Sequence, residues 1–142
     1  MENPMKNFRK VLLFTAVAAT FTLASCQPDE EPAPADARDP FVASWTCNET
    51  SSQIGASTYT VHINKSTTNT SQVEIENFYN IGFANKATAN ISGTVVTINQ
   101  QTYNSNQLHG SGNKTGTNTI SLTYYMNNGS TVDTCTATLT RQ

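Results

Sequence analysis

The stretch Thr119-Ile120-Ser121-Leu122-Thr123-Tyr124-Tyr125-Met126 alternates polar and apolar side chains with a period of two. Successive side chains of an extended strand point to opposite faces. Ile120, Leu122, Tyr124 and Met126 therefore share one side, and Thr119, Ser121, Thr123 and Tyr125 the other. The pattern predicts a strand with one buried and one wet face. Immediately after it, Asn127-Asn128-Gly129-Ser130 supplies the positive φ angles that a tight turn requires. Beyond the turn the alternation resumes, with Cys135, Ala137 and Leu139 on one face and Thr134, Thr136, Thr138 and Thr140 on the other.

The same period recurs toward the N-terminus. Tyr59, Val61 and Ile63 oppose Thr58, Thr60, His62 and Asn64, and Val73 and Ile75 oppose Glu74 and Glu76. Ala87, Ala89 and Ile91 line up next, followed by Val96 and Ile98 beyond a Ser92-Gly93 turn. No segment after residue 26 keeps a helical period. The chain reads as all-β, with about eight antiparallel strands, the first over residues 41–49 and the last over 132–141. Abundant threonine fits, because β-branched side chains suit a pleated surface. So many sequential strands either close into an up-and-down barrel or split into a β-sandwich.

The first 25 residues differ in kind. Lys6, Arg9 and Lys10 precede an uncharged apolar run, VLLFTAVAATFTLA, which is shorter than the roughly 20 residues of a membrane-spanning helix. The run ends in Ala24, and Ser25 follows it, the small residues that an export signal requires before its cleavage site. Leu23-Ala24-Ser25-Cys26 resembles the signal of bacterial lipoproteins that is cut before a cysteine, which then becomes lipidated. Gln27-Pro28-Asp29-Glu30-Glu31 resembles the acidic export signal of surface lipoproteins in Bacteroidetes-type bacteria, with Gln27, Asp29, Glu30 and Glu31 as its matching residues. These resemblances imply a fatty-acylated Cys26 in the outer membrane, facing the cell surface; the alternative is the periplasmic face. Residues 1–25 would be the signal, 26–40 an acidic, proline-rich disordered tether, and 41–142 the folded domain. A proline-rich spacer of that length reaches about 40 Å.

Charge excludes one class of partner. The full chain carries a formal −2, and beyond residue 40 Lys65, Lys86, Lys114 and Arg141 balance Glu49, Glu74, Glu76 and Asp133. With no basic stripe, nucleic acid is not an expected partner. With Cys26 assigned to lipid, Cys47 and Cys135 remain in a compartment where disulfides persist. They fall in the first and last strands, which barrel closure makes neighbours, so a Cys47–Cys135 bridge is expected; two buried free thiols are the alternative. Chemistry-bearing clusters are sparse. His62 and His109 have no acidic or thiol neighbour at ligand spacing, Glu74 and Glu76 fall on a wet face, and no metal, phosphate-loop or nucleophile motif occurs. Gly110 and Gly112 read as a strand bend or bulge. No catalytic residue, metal or cofactor is expected, and the chain reads as a non-enzyme.

Asp39-Pro40-Phe41-Val42-Ala43-Ser44-Trp45 resembles the opening of lipocalin-like proteins, with Ala43 where the family has glycine. The resemblance implies a lipocalin-like barrel in which Arg141, from the last strand, stacks on Trp45. It extends over residues 39–142 to small lipocalin-like lipoproteins of Bacteroidetes-type bacteria. It implies a small apolar or amphipathic ligand, with Trp45, Tyr59, Phe78, Tyr124 and Arg141 as lining or core. The composition favours another reading: a filled core and a Thr/Asn-rich exterior that meets glycans or partner proteins.

Overall fold

Eight antiparallel strands follow one another in chain order, and the last pairs back onto the first to close a barrel. They are β1 (Ala43–Ser51), β2 (Gly55–Lys65), β3 (Gln72–Glu76), β4 (Lys86–Ser92), β5 (Val95–Tyr103), β6 (Asn106–Gly116), β7 (Thr119–Asn127) and β8 (Val132–Arg141), with a short 3-10 turn at Phe78–Asn80. The computed structural model describes residues 35–142. The readings made for Cys26, Gln27, Asp29, Glu30 and Glu31 lie outside the described residues. Closure rules out the sandwich and removes both sheet edges, which would otherwise expose unpaired backbone groups.

An eight-stranded barrel has an interior that side chains can just fill. Trp45, Cys47, Val61, Ile75, Phe78, Ile98, Leu108, Ile120, Tyr124 and Leu139 are all essentially fully buried there. Every second residue of β7 and β8 faces this core, from Ile120 to Met126 and from Asp133 to Leu139.

β6 breaks the alternation because two of its inward positions are glycines. Gly110 lies opposite Tyr124 and Gly112 opposite Leu122. A Cβ on Gly112 would overlap the Ser121 carbonyl oxygen, and one on Gly110 would come within 2.6 Å of the Thr123 carbonyl oxygen. The glycines thus let β7 approach closely enough for its own large side chains to fill the space. The register slips on β6 itself between Lys114 and Gly116, away from Gly110 and Gly112, and on the neighbouring β5 between Ile98 and Gln101. There Gln101 replaces a peptide group: its amide accepts from the Thr88 N–H (2.9 Å) and donates to the Thr88 carbonyl (2.8 Å), continuing the β4–β5 seam past its last backbone pairs.

The tether boundary needs correction. Asp36 to Pro40, read as spacer, fold onto the barrel end where the chain enters β1. Arg38 is buried because its guanidinium donates to the carbonyls of Ser66 (3.1 Å) and Asn69 (3.1 Å) and pairs with Asp36 (2.8 Å). Beside Arg38, Asp36 is held well below the usual carboxylate range. Phe41 is buried, and its carbonyl accepts the Trp45 indole N–H at 2.8 Å. The Arg141 guanidinium lies 4.9 Å from the Trp45 ring centre and donates to Pro40 O at 2.6 Å, so the last strand clamps this entry segment.

The disulfide also needs correction. β1 and β8 are neighbours, but Cys47 lies opposite Leu139 and Cys135 opposite Ser51. Four residues of register separate the cysteines by about 13 Å along the strands, whereas a disulfide spans Cα atoms no more than about 7 Å apart. Both thiols are free and buried. Burial pushes Cys47 up to about 11 and Cys135 to about 12, so neither forms a reactive thiolate at neutral pH.

Two outcomes are expected. Alkylation without reductant should leave Cys47 and Cys135 unmodified in the folded protein and label both after denaturation; labelling of neither would restore the bridge. Gly112→Ala should cost about 1–3 kcal/mol in chemical denaturation, as overpacked interiors do.

Candidate functional site

The loops fall into two sets at opposite ends of the barrel. Pro40, the β2–β3 loop and the C-terminus occupy the entry end. The β1–β2, β3–β4, β5–β6 and β7–β8 connections occupy the far end. Polar groups are buried toward the far end, because β1 and β8 place acids at inward-facing positions there.

Two carboxyl groups anchor this region. Glu49 shares the inward face of β1 with Trp45 and Cys47, and its carboxyl group accepts hydroxyls from Tyr59 and Tyr124. Burial, reinforced by nearby Glu49, pushes both tyrosine hydroxyls far above their ordinary range, so they remain donors. Asp133, the first inward residue of β8, collects four hydrogen bonds: from Ser51 Oγ (2.6 Å), Tyr79 OH (2.7 Å), Ser52 Oγ (2.9 Å) and the Gln53 N–H (3.1 Å). Burial alone would raise Asp133, but these donors outweigh it and hold the carboxyl down at about 2. Tyr79 in turn packs edge-on against Tyr124, with ring centres 6.3 Å apart, which joins the two clusters.

Over the Asp133 cluster lies a hollow of about 200 Å³ lined by Gln53, Tyr79, Asn106, Met126, Asn128, Thr131 and Asp133. Its floor is Asp133, Tyr79 and Met126, and its rim is neutral amides and a hydroxyl. A second hollow, about 530 Å³, crosses the outer wall over Asn48, Thr50, Thr58, Thr123, Thr136 and Thr138.

The residues singled out in the sequence fall elsewhere. Trp45, Tyr59, Phe78 and Tyr124 belong to the packed core, and Arg141 to the entry end; none lines the far-end hollow. His62 lies 3.6 Å from Glu76 on the outer wall, and His109 stacks on Tyr125. Glu74 and Glu76 both pair with Lys86. Among the described residues no three His, Cys, Asp or Glu side chains converge as a metal site. What the sequence reading missed was the parity of Glu49 and Asp133. Each stands two residues from a cysteine on an inward face, a signal that was already present.

Threonines such as Thr134, Thr136, Thr138 and Thr140 face water on the outer wall. That is the reverse of a bilayer-spanning barrel, whose outer band is apolar.

No protein-family model matches the chain, and no curated protein matches it. Solved structures share its fold. A redesigned β-barrel matches with a TM-score of 0.57 at 14% identity, over 77% of this chain and 97% of the other. The structure of EF1p2_mFAP2b bound to DFHBI matches with a TM-score of 0.53 at 14% identity, over 75% and 98%. The class is therefore a small, closed, eight-stranded antiparallel β-barrel.

Acid titration tests the Asp133 cluster. A carboxylate with its pKa lowered to about 2, against about 3.9 when unfolded, contributes stability that is complete above pH 4 and is lost as pH falls toward 2. Asp133→Asn should lower stability at pH 7 by about 2 kcal/mol or more. It should also flatten the stability profile between pH 4 and 2; an unchanged profile would remove Asp133 from this role.

Proposed function

We propose that the protein is a lipid-anchored lipoprotein of the outer membrane that presents a small-ligand-binding barrel at the cell surface. The observation that carries the binding reading is the far-end hollow, walled by a buried carboxylate and ringed by Gln53, Asn106, Asn128 and Thr131. Small-molecule sites combine this concavity with a few placed polar groups. The packed middle of the barrel moves the expected site from the apolar interior to the mouth, and favours a polar or amphipathic ligand over a purely apolar one. A barrel of similar fold, EF1p2_mFAP2b, solved bound to DFHBI, lends this support.

The described chain enters the barrel at the end opposite the hollow, which leaves the mouth clear of the entry segment. Gln27, Asp29, Glu30 and Glu31 are the proposed surface-export signal. Asp36 to Pro40 fold onto the barrel and are subtracted from the spacer's reach. A second reading rests on the outer hollow, whose Thr/Asn-rich wall suits a glycan or protein partner.

Mass spectrometry of the protein from its own cells tests both halves. The mature chain should begin at an acylated Cys26, and Cys26→Ala should lose the added mass and the membrane association. Under native conditions a small molecule should accompany the barrel. Repeatedly empty spectra, with the outer wall still retaining glycan or protein, would favour the second reading; a non-acylated mature chain would end the lipoprotein reading.

A further inference from the structure

Backbone strain in this barrel is concentrated at the far end. Asn77, Tyr79, Asn80, Asn104 and Ser105 are the non-glycine residues with positive φ among those described, and all lie in the β3–β4 and β5–β6 connections. Asn104 and Ser105 form a two-residue hairpin turn of a kind that asparagine tolerates. Tyr79, at φ 55°, has no such local reason, since a bulky side chain in the left-handed region is a true outlier. Its surroundings impose the conformation. Phe78 is buried in the core and its carbonyl accepts the Tyr103 hydroxyl at 2.9 Å; Asn77 donates to Thr60 O at 2.7 Å and accepts from the Gly82 N–H at 2.7 Å. The result is that the Tyr79 side chain forms part of the hollow's wall, and strain held in this way clusters at functional sites.

The charge of that wall is stabilised by hydrogen bonds but has no cationic partner among the described residues. Asp133 is only 5% exposed, and all four of its hydrogen-bond donors are neutral. Among the described residues the cations are engaged elsewhere. Arg38 and Lys65 pair with Asp36, Lys86 with Glu74 and Glu76, while Lys114 and Arg141 converge on Trp45 at the entry end. Two donors on each carboxylate oxygen stabilise the charge without cancelling it, so Asp133, which lines the hollow, keeps a net negative charge there that no cation of the described residues answers. Beside it stand an aromatic ring and the Met126 thioether, both of which favour a soft cation.

We propose that the far-end pocket binds a small organic cation, an amine or quaternary ammonium group set in the hollow beside the hydrogen-bonded Asp133 carboxylate and Tyr79 ring. Gln53, Asn106, Asn128 and Thr131 then meet the ligand's neutral polar part at the rim. The proposal rests on the reading of this hollow as a ligand site and specifies its ligand class. A neutral polyol would satisfy the rim but leave the Asp133 charge unanswered.

Choline and its uncharged isostere, in which carbon replaces nitrogen, differ by this one charge. In heteronuclear NMR titrations of the full chain in detergent micelles, choline should shift the amides of Gln53, Tyr79 and Asp133. It should bind at least tenfold more tightly than the isostere. Asp133→Asn should weaken choline at least tenfold and leave the isostere unchanged. Because that variant removes an acceptor of four hydrogen bonds, Thr131→Lys is the companion: exposed at the rim, it should abolish choline binding without affecting the fold. Equal binding of choline and isostere would overturn the cation inference while leaving the pocket reading intact. No shift at the pocket with either compound would overturn both.

Discussion

The pairing of β8 with β1, Trp45 opposite Arg141 at one end and Ser51 opposite Cys135 at the other, is the constraint on which the remaining structure depends. It turns a meander with two open edges into a closed wall. Closure then forces every inward side chain into a shared volume of fixed size. Side-chain parity does the rest. Once Trp45 faces in, so do Cys47, Glu49 and Ser51; once Leu139 faces in, so do Ala137, Cys135 and Asp133. The apolar members of these two series make the core, and the polar members make the far end.

That division explains why the ends differ. At the entry end Arg38, Lys114 and Arg141 lie on backbone carbonyls and on the Trp45 indole, which closes the barrel beneath the incoming chain. At the far end Glu49 and Asp133 are buried among hydroxyls, and a hollow remains between Asp133 and solvent. The strained segment at Asn77–Asn80 supplies Tyr79 to both the carboxylate and the hollow. One end seals the barrel beneath the incoming chain, and the other buries two carboxyl groups among hydroxyls.

Much of the fold was legible in the alternation of Thr119–Met126, Val132–Arg141 and Tyr59–Ile63, because one wet and one dry face write a period of two directly into the sequence. β6 was not legible, since Gly110 and Gly112 occupy inward positions where the pattern needs large apolar residues; their reason is the close approach of β7. Arg38 was hidden because its partners are backbone carbonyls, which leave no trace in composition. The cysteines were placed correctly on neighbouring strands, but strand adjacency does not give register, and register separates them. The acids of the candidate site were visible in the sequence but had been counted as net charge; read by parity beside Cys47 and Cys135, they mark the polar end.

The β1–β8 register is most directly measured by cross-strand NMR contacts in the folded protein. Nuclear Overhauser contacts should join the backbone of Cys47 to Leu139 and of Ser51 to Cys135, with slow amide exchange along both strands. Contacts between Cys47 and Cys135, or rapid exchange of alternate amides on β1 and β8 as unpaired edges would show, would contradict the closed barrel in this register and the site built upon it.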